Sequence, residues 1–397
     1  MARIAIADFL FYLSSAAFYP YLQIILRNNG YHHSSVGLIL AIGEAASVVI
    51  PLLVANLADR TGKRRLCVIF CILLAILLFV PVSTSTTAWI TILAMFFCRG
   101  LYSCLNPLLD SIATTYLEGD SSKYSTVRTI GTLGYVLACF FFGLSGIIQS
   151  GNNTTILKTF IICGTAFGVY CLTLPKMIDS GIMSRRIAKG DIKVYRHSDD
   201  HSRPRYGSPY EKSFVIFIIA TFFLKLGNSA IERLLSSYMT EVMKLGDNFI
   251  NYVALGSTAE IAIMLLSGYL IKKKNVPPTL LVILGGLGLC ARLLIYAVWS
   301  SMPAFIIAQL LHGLTFGATQ IGSVMFIAKS VPKENASMAM SIYTCIGTSL
   351  PNTIGSLLGG WIIESQGYEM MFVMYSAFAL VGTMIFIITN RSLSVKK

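Results

Sequence analysis

About twelve stretches of roughly 17–25 predominantly apolar residues recur along this chain, each ended by charge or by turn-forming residues. They fall at 4–26, 35–57, 66–84, 88–117, 126–148, 157–175, 213–240, 248–271, 278–299, 303–328, 334–363 and 368–389. A helix rises about 1.5 Å per residue, so each run matches the hydrocarbon thickness of a bilayer. Inside that hydrocarbon every backbone N–H and C=O must be paired within the segment, which makes the expected fold all-helical. With 55% of its 397 residues hydrophobic and 12% charged, the chain has too little polar surface for a water-soluble globule. It reads as an all-α membrane protein of twelve transmembrane helices. The first run holds Asp8 and is followed by Arg27-Asn28-Asn29 rather than a small-residue cleavage site, which predicts a retained helix.

The polar stretch from Lys176 to Lys212 divides the runs six and six. It predicts a six-helix bundle over 1–175, a basic linker over 176–212 and a second bundle over 213–397. Weak internal repetition agrees. Ala55 to Asp59 and Arg99-Gly100-Leu101 are echoed 213 residues later by Gly268 to Lys272 and His312-Gly313-Leu314. Duplicated halves around a midplane site are a common transporter design.

Charge sets the expected orientation. Arg3, the run Arg60/Lys63/Arg64/Arg65, the central linker, Lys272 to Lys274, Lys329/Lys333 and Arg391/Lys396/Lys397 all fall on one side, against Arg27, Lys158 and Lys244 on the other. The positive-inside rule then puts both termini in the cytoplasm, in a cell membrane. The net charge of +13 is thereby assigned to helix ends facing anionic lipid, and nucleic acid is not an expected partner. Nine cysteines stand singly without metal-ligand spacing and read as packing residues. Asn152-Asn153-Thr154-Thr155 supplies N-glycosylation sequons in an expected outside loop.

The functional signal is charge where charge is costly. Asp110, Arg128, Glu260, Arg292 and His312 lie within or at the edge of apolar runs, where an ionised group costs about 2.5–3.5 kcal/mol even on lenient scales. Lys225, Asn228 and Glu232 are spaced three and four apart in the seventh run and share a helix face, beside Arg233. Structural ion pairing and packing are the competing readings for each of these. Tyr12, Phe18, Tyr19 and Tyr21 offer stacking surface for a ring, or equally core packing. The glycines Gly131/Gly134 and Gly355/Gly359 predict close helix approach.

Ala55-Asn56-Leu57-Ala58-Asp59-Arg60-Thr61-Gly62-Lys63-Arg64-Arg65 resembles the loop between the second and third helices of the major facilitator superfamily, Gly-x-Leu-Ala-Asp-Arg-x-Gly-Arg-Arg, with Ala55 for the leading glycine. The resemblance implies two pseudo-symmetric bundles and a cytoplasmic gate at Asp59, Arg60 and Arg64. In the second half Lys272 replaces the acid, so a symmetric second latch is not expected.

Asn106-Pro107-Leu108-Leu109-Asp110 with Arg128-Thr129-Ile130-Gly131 is similar to the helix-four acid and helix-five Arg-x-x-Gly of the lactose permease branch. Glu260 and Arg292 resemble that branch's helix-eight acid and helix-nine arginine. Gln309-Leu310-Leu311-His312-Gly313-Leu314-Thr315-Phe316-Gly317 resembles its helix-ten histidine motif, in the form found in phenylpropionate permeases. The branch also includes nucleoside/proton symporters.

The resemblance implies a substrate set of Asp110, Arg128 and Glu260, joined by Lys225, Asn228 and Glu232, and a proton-coupling set of Asp110, Glu260, Arg292 and His312. Thr315 stands where lactose permease has a titrating carboxylate, leaving Asp110, Glu260, Asp8 and Glu44 as available carriers. The expected activity is proton-coupled symport of a small sugar, nucleoside or aromatic or carboxylic acid by alternating access. A proton-driven exporter, and a uniporter in view of Thr315, are the alternatives. A monomer in the lipid bilayer, with protons and solute as partners, no cofactor and no metal, completes the expectation. No nucleophile triad or phosphate loop points to an enzyme.

Overall fold

The computed structural model describes residues 1–117, 121–174, 212–331, 339–340 and 342–393. Its elements are helical throughout: α1 (Ala2–Ala16), α2 (Leu22–Asn28), α3 (His33–Thr61), α4 (Arg64–Thr84), α5 (Ala88–Tyr116), α6 (Ser121–Ser145), α7 (Asn153–Cys171), α8 (Lys212–Ser237), α9 (Phe249–Lys273), α10 (Pro278–Val298), α11 (Met302–Leu310), α12 (Thr319–Ser330) and α13 (Leu350–Leu393). A short 3-10 turn at Tyr19–Tyr21 joins α1 to α2 into one crossing. Wider π-helical turns at Tyr238–Val242, Gly313–Ala318 and Tyr343–Ser349 extend α8, join α11 to α12 and lead into α13.

Among the described residues, 11 helices are long and apolar enough to cross a membrane. The last, Tyr343–Thr389, runs 47 residues and is two crossings in one. Gly367 inside it adopts φ 84°, ψ 175°, a conformation essentially reserved for glycine. The twelve-helix expectation therefore holds, with its last boundary at a kink rather than a loop. Leu52, Leu77, Trp89, Leu144, Leu265 and Ile388 are all more than 60% exposed, which is the surface that lipid would cover.

The chain forms two compact units, one of residues 1–30 and 42–204 and the other of residues 31–41 and 205–397. Most of the basic stretch expected as the linker lies outside the described residues. In the first unit the core is aromatic: Phe18 stacks against Phe160 and tilts onto Tyr102 at 4.3 Å, with Phe79 beside them. Phe18 and Tyr21 are thus core residues, at 0% and 1% exposure, and not stacking surface for a ligand. In the second unit Tyr238, Tyr296 and Phe372 form the corresponding cluster.

Glycines set the helix spacings. The Asp59–Arg65 motif turns at Gly62, whose φ of +66° reverses the chain between α3 and α4 at little steric cost. Gly131 and Gly134 let α6 lie against Asp8, Tyr12 and Phe9 of α1, while Gly355 and Gly359 receive Ser229 and Leu234 of α8. At the start of α7 the Asn152 carboxamide caps the helix through the Thr154 N–H at 3.0 Å. The Asn153 amide donates to the carbonyls of Ile25 and Ser83 and to the Asn29 side chain. The Asn153 sequon is therefore part of the fold.

Candidate functional site

In the first unit, α5 carries Asp110 one turn beyond Asn106, with Pro107 between them, and α6 brings Arg128 to both. Arg128 Nη1 donates to Asn106 Oδ1 at 2.7 Å and reaches Asp110 Oδ1 at 3.4 Å. The pair is about one third exposed on each side, so water or a solute has access to it. The Arg128 guanidinium also lies over the Tyr12 ring, 5.2 Å from its centre. Asp8, one turn earlier on α1, is 3% exposed and its Oδ2 has no hydrogen-bond partner.

A second pair in this unit has the opposite character. Glu44 Oε1 of α3 accepts from Arg99 Nε at 3.1 Å and meets Nη2 at 2.9 Å, with both side chains under 10% exposed. Tyr19 adds its hydroxyl at 3.3 Å to Arg99 Nη1 and its ring face at 4.8 Å. Glu44, expected among the available proton carriers, is held by a cation that does not deprotonate in proteins. Arg99 was missed as a site residue although the 213-residue repeat marked it.

In the second unit the helix-face reading of α8 matches the geometry. Glu232 is the hub, accepting hydrogen bonds from Asn228 on its own helix and from Asn352 of α13 at 3.1 Å, with Lys225 at 3.9 Å and Arg233 at 3.8 Å. Lys225 Nζ also sits 5.1 Å from the centre of the Phe316 ring. Phe316 in turn stacks on His312 at 5.7 Å, which links the Glu232 hub to a deeper cluster.

That cluster is built on Arg292, 1% exposed on α10. Its Nε donates to the Tyr296 hydroxyl at 3.2 Å, Nη2 to Gln309 Oε1 at 3.1 Å, and Nη1 to Thr315 Oγ1 at 3.4 Å and His312 Nδ1 at 2.9 Å. Because Nδ1 faces an arginine N–H it must accept, which places the neutral ring's own proton on Nε2. Nε2 faces Glu260 Oε2 at 3.6 Å. The imidazole is thus interposed between a buried cation and a carboxylate, and the Thr315 hydroxyl accepts from Arg292 while donating to the His312 carbonyl at 3.1 Å. The π-helical turn that starts at Gly313 is a local distortion of a type often found at functional sites.

The internal repeat becomes a matching set of contacts. A side-chain carbon on Gly43 would press on Arg99, and one on Gly256 would press on His312; one on Gly100 would strike Ile50, and one on Gly313 would meet Ile263 as well as the Ala259 carbonyl. Each residue of the first set is followed 213 positions later by its counterpart in the second. Asn106, Gln309, Tyr296 and Asn352 are site residues that composition does not single out, being neutral and common in helices. Of the expected gate, the side chains of Asp59 and Arg60 lie outside the described residues. Arg64 begins α4.

Known proteins resemble the chain along its full length. The model described as the MFS_1 like family matches residues 1–374. A maltose permease of Geobacillus stearothermophilus is 22% identical, covering 96% of this chain and 93% of the relative. A probable 3-phenylpropionic acid transporter of Escherichia coli (strain K12) is 21% identical over 94% and 93%. Among solved structures, the nucleoside transporter NupG superposes with a TM-score of 0.79 at 14% identity, covering 100% of this chain and 99% of that one.

Proposed function

The chain belongs to the MFS_1 like family and is a multi-pass membrane transporter of the major facilitator type, and from that premise we propose that it moves a small polar organic solute together with protons. The observation that carries the reading is His312, a group able to gain and lose a proton, placed between Arg292 and Glu260. A proton arriving on Nδ1 would oppose the Arg292 N–H, so protonation of the ring and the hold of Arg292 on it exclude each other. Movement of α10 against the π-helical turn would then alter the proton affinity of the His312/Glu260 pair, which is what coupling requires.

Solute recognition falls to the partly exposed Asp110–Arg128 pair in the first unit and to Glu260, Lys225, Asn228 and Glu232 in the second. An acid beside an arginine offers acceptors and donors together and suits hydroxyl-rich solutes, and arginine with histidine suits a carboxylate. Sugars, nucleosides and aromatic acids are therefore the classes to test, and they are also the classes named for the relatives. Alternating access would run between the bundles 1–175 and 213–397, with 176–212 as their link and Asp59, Arg60 and Arg64 as a cytoplasmic latch. Both termini would face the cytoplasm of a cell whose plasma membrane holds the protein as a monomer.

Uptake by proteoliposomes decides the matter. Maltose, uridine and 3-phenylpropionate are offered with and without an imposed pH gradient, and counterflow is measured beside net uptake. A symporter accumulates one of them above the outside concentration when the gradient is imposed. Equilibration without accumulation supports the uniport reading, which Thr315 favours by removing one titrating acid. Expulsion of preloaded solute against an inward proton gradient supports export.

A further inference from the structure

Asp8 is the buried acid of the first unit whose ionised form the fold leaves unsupported, and we propose that it is the unit's proton carrier. The inference rests on the proton-coupled reading and names its first-unit group. Three features of the surroundings lead to it.

Its Oδ2 lies against Gly131 of α6, where a side-chain carbon would collide with it and with Tyr12, and it receives no hydrogen bond. An ionised carboxylate without donors in a membrane interior is far costlier than the neutral acid. The charged groups acting on Asp8 are Arg128 from α6 and Asp110 from α5, with Tyr12 on its own helix; α7, also packed on α1, presents Phe167 to Phe11. Arg128 Nη1 is engaged by Asn106 and Asp110.

Packing does not require an acid at this place. The position 213 residues later is Thr221, which faces Gly347 much as Asp8 faces Gly131, and its buried hydroxyl is also without a partner. A neutral side chain therefore fills the equivalent corner of the second unit, and the carboxyl of Asp8 is an addition to the framework. The other acids nearby are tied: Glu44 to Arg99, and Asp110 to Arg128.

Arg128 and Gly131 are three residues apart and share a face of α6. A shift of α6 along α1 would exchange the glycine beside Asp8 for the guanidinium. In the present arrangement the carboxylate takes one proton from water and stands as the neutral acid; when Arg128 approaches, the carboxylate and the guanidinium pair and that proton returns to water. Capture of Arg128 by a solute would delay the release, which links solute to proton.

The test has two arms on the full-length protein in lipid. Infrared difference spectra across a pH titration read protonated carboxyl groups directly and need no substrate. The wild type should show a carboxylic C=O band that fades as pH rises, absent in Asp8→Asn and displaced in Asp8→Glu; identical titrations of wild type and Asp8→Asn overturn the proposal. In proteoliposomes loaded with maltose, uridine or 3-phenylpropionate, Asp8→Asn should lose accumulation driven by the pH gradient while still exchanging solute, and Asp8→Glu should regain part of the accumulation. Loss of both activities in Asp8→Asn with no recovery in Asp8→Glu assigns Asp8 to solute binding or folding and overturns it too. Failure of the wild type to carry any of the three solutes counts against the transport reading alone, since the infrared arm still decides on Asp8.

Discussion

Arg99 with Glu44 in the first unit and His312 with Glu260 in the second occupy corresponding places, flanked by Gly43 and Gly100 in one case and by Gly256 and Gly313 in the other. The first pair closes to 2.9 Å and is nearly inaccessible. The second stands at 3.6 Å with 20% and 16% of its side chains exposed. Guanidinium keeps its charge at any attainable pH, whereas imidazole changes charge near neutrality. One scaffold thus carries a permanent strut in one unit and a titratable contact in the other. Duplicated geometry does not imply duplicated chemistry, and the residue before the glycine decides which is present.

The comparison can be broken most directly at the acids of the working sites. Glu260→Gln and Asp110→Asn should each abolish pH-driven uptake in proteoliposomes; full retention by both variants would remove the assignment of either to coupling or binding. His312→Arg, which copies the first unit's chemistry into the second, should yield a folded protein without driven uptake at any pH. Accumulation matching the wild type would show that the titratable imidazole is dispensable.

Glu44→Ala comes next, because it strands Arg99 in a dry site. Loss of one partner of a buried pair costs about 3–5 kcal/mol, which denaturant titration of the detergent-solubilised protein would read. A loss no greater than that of Glu260→Ala would mean that the two pairs do not differ as strut and switch. Asn352→Ala removes one donor to the Glu232 hub and should cost about 1.5–3 kcal/mol, the range for a hydrogen bond to a charged group. The smallest effect is expected from Thr315→Val. Its 3.4 Å bond from Arg292 is long, and stability should fall by about 1 kcal/mol, in line with a weak hydrogen bond, with driven uptake preserved.

The helices were legible because hydrocarbon permits few alternatives, so the apolar runs located nearly all of them. The boundary between the last two crossings was least visible, since a single glycine at 367 takes the place of a polar loop. Charged site residues stood out against their apolar neighbours, and the spacing of Lys225, Asn228 and Glu232 already implied one face. What the sequence concealed was pairing. Nothing local to Glu44 reveals that Arg99, on another helix, meets it, and Gln309, Asn352 and Tyr296 look like ordinary helix residues until a charge is found beside them. Phe18 and Tyr21 show the converse: aromatic side chains suited to a ligand are spent on the core of their own unit.

The wide turn at Gly313–Ala318 has a genetic consequence. A π-helical turn holds more residues than the α-helical turn it replaces, so an in-frame codon deletion there offers a route to continuous α-helix. Losing one residue would rotate the downstream helix by about 100° relative to the upstream one, given 3.6 residues per turn. His312 would keep its bearing while Thr319 and the rest of α12 swung to a new face. Most of this transporter should accept substitutions more readily than deletions, but here the contrast is sharpest: Gly313 to Ala318 form a stretch whose length, and not only its spelling, is under selection.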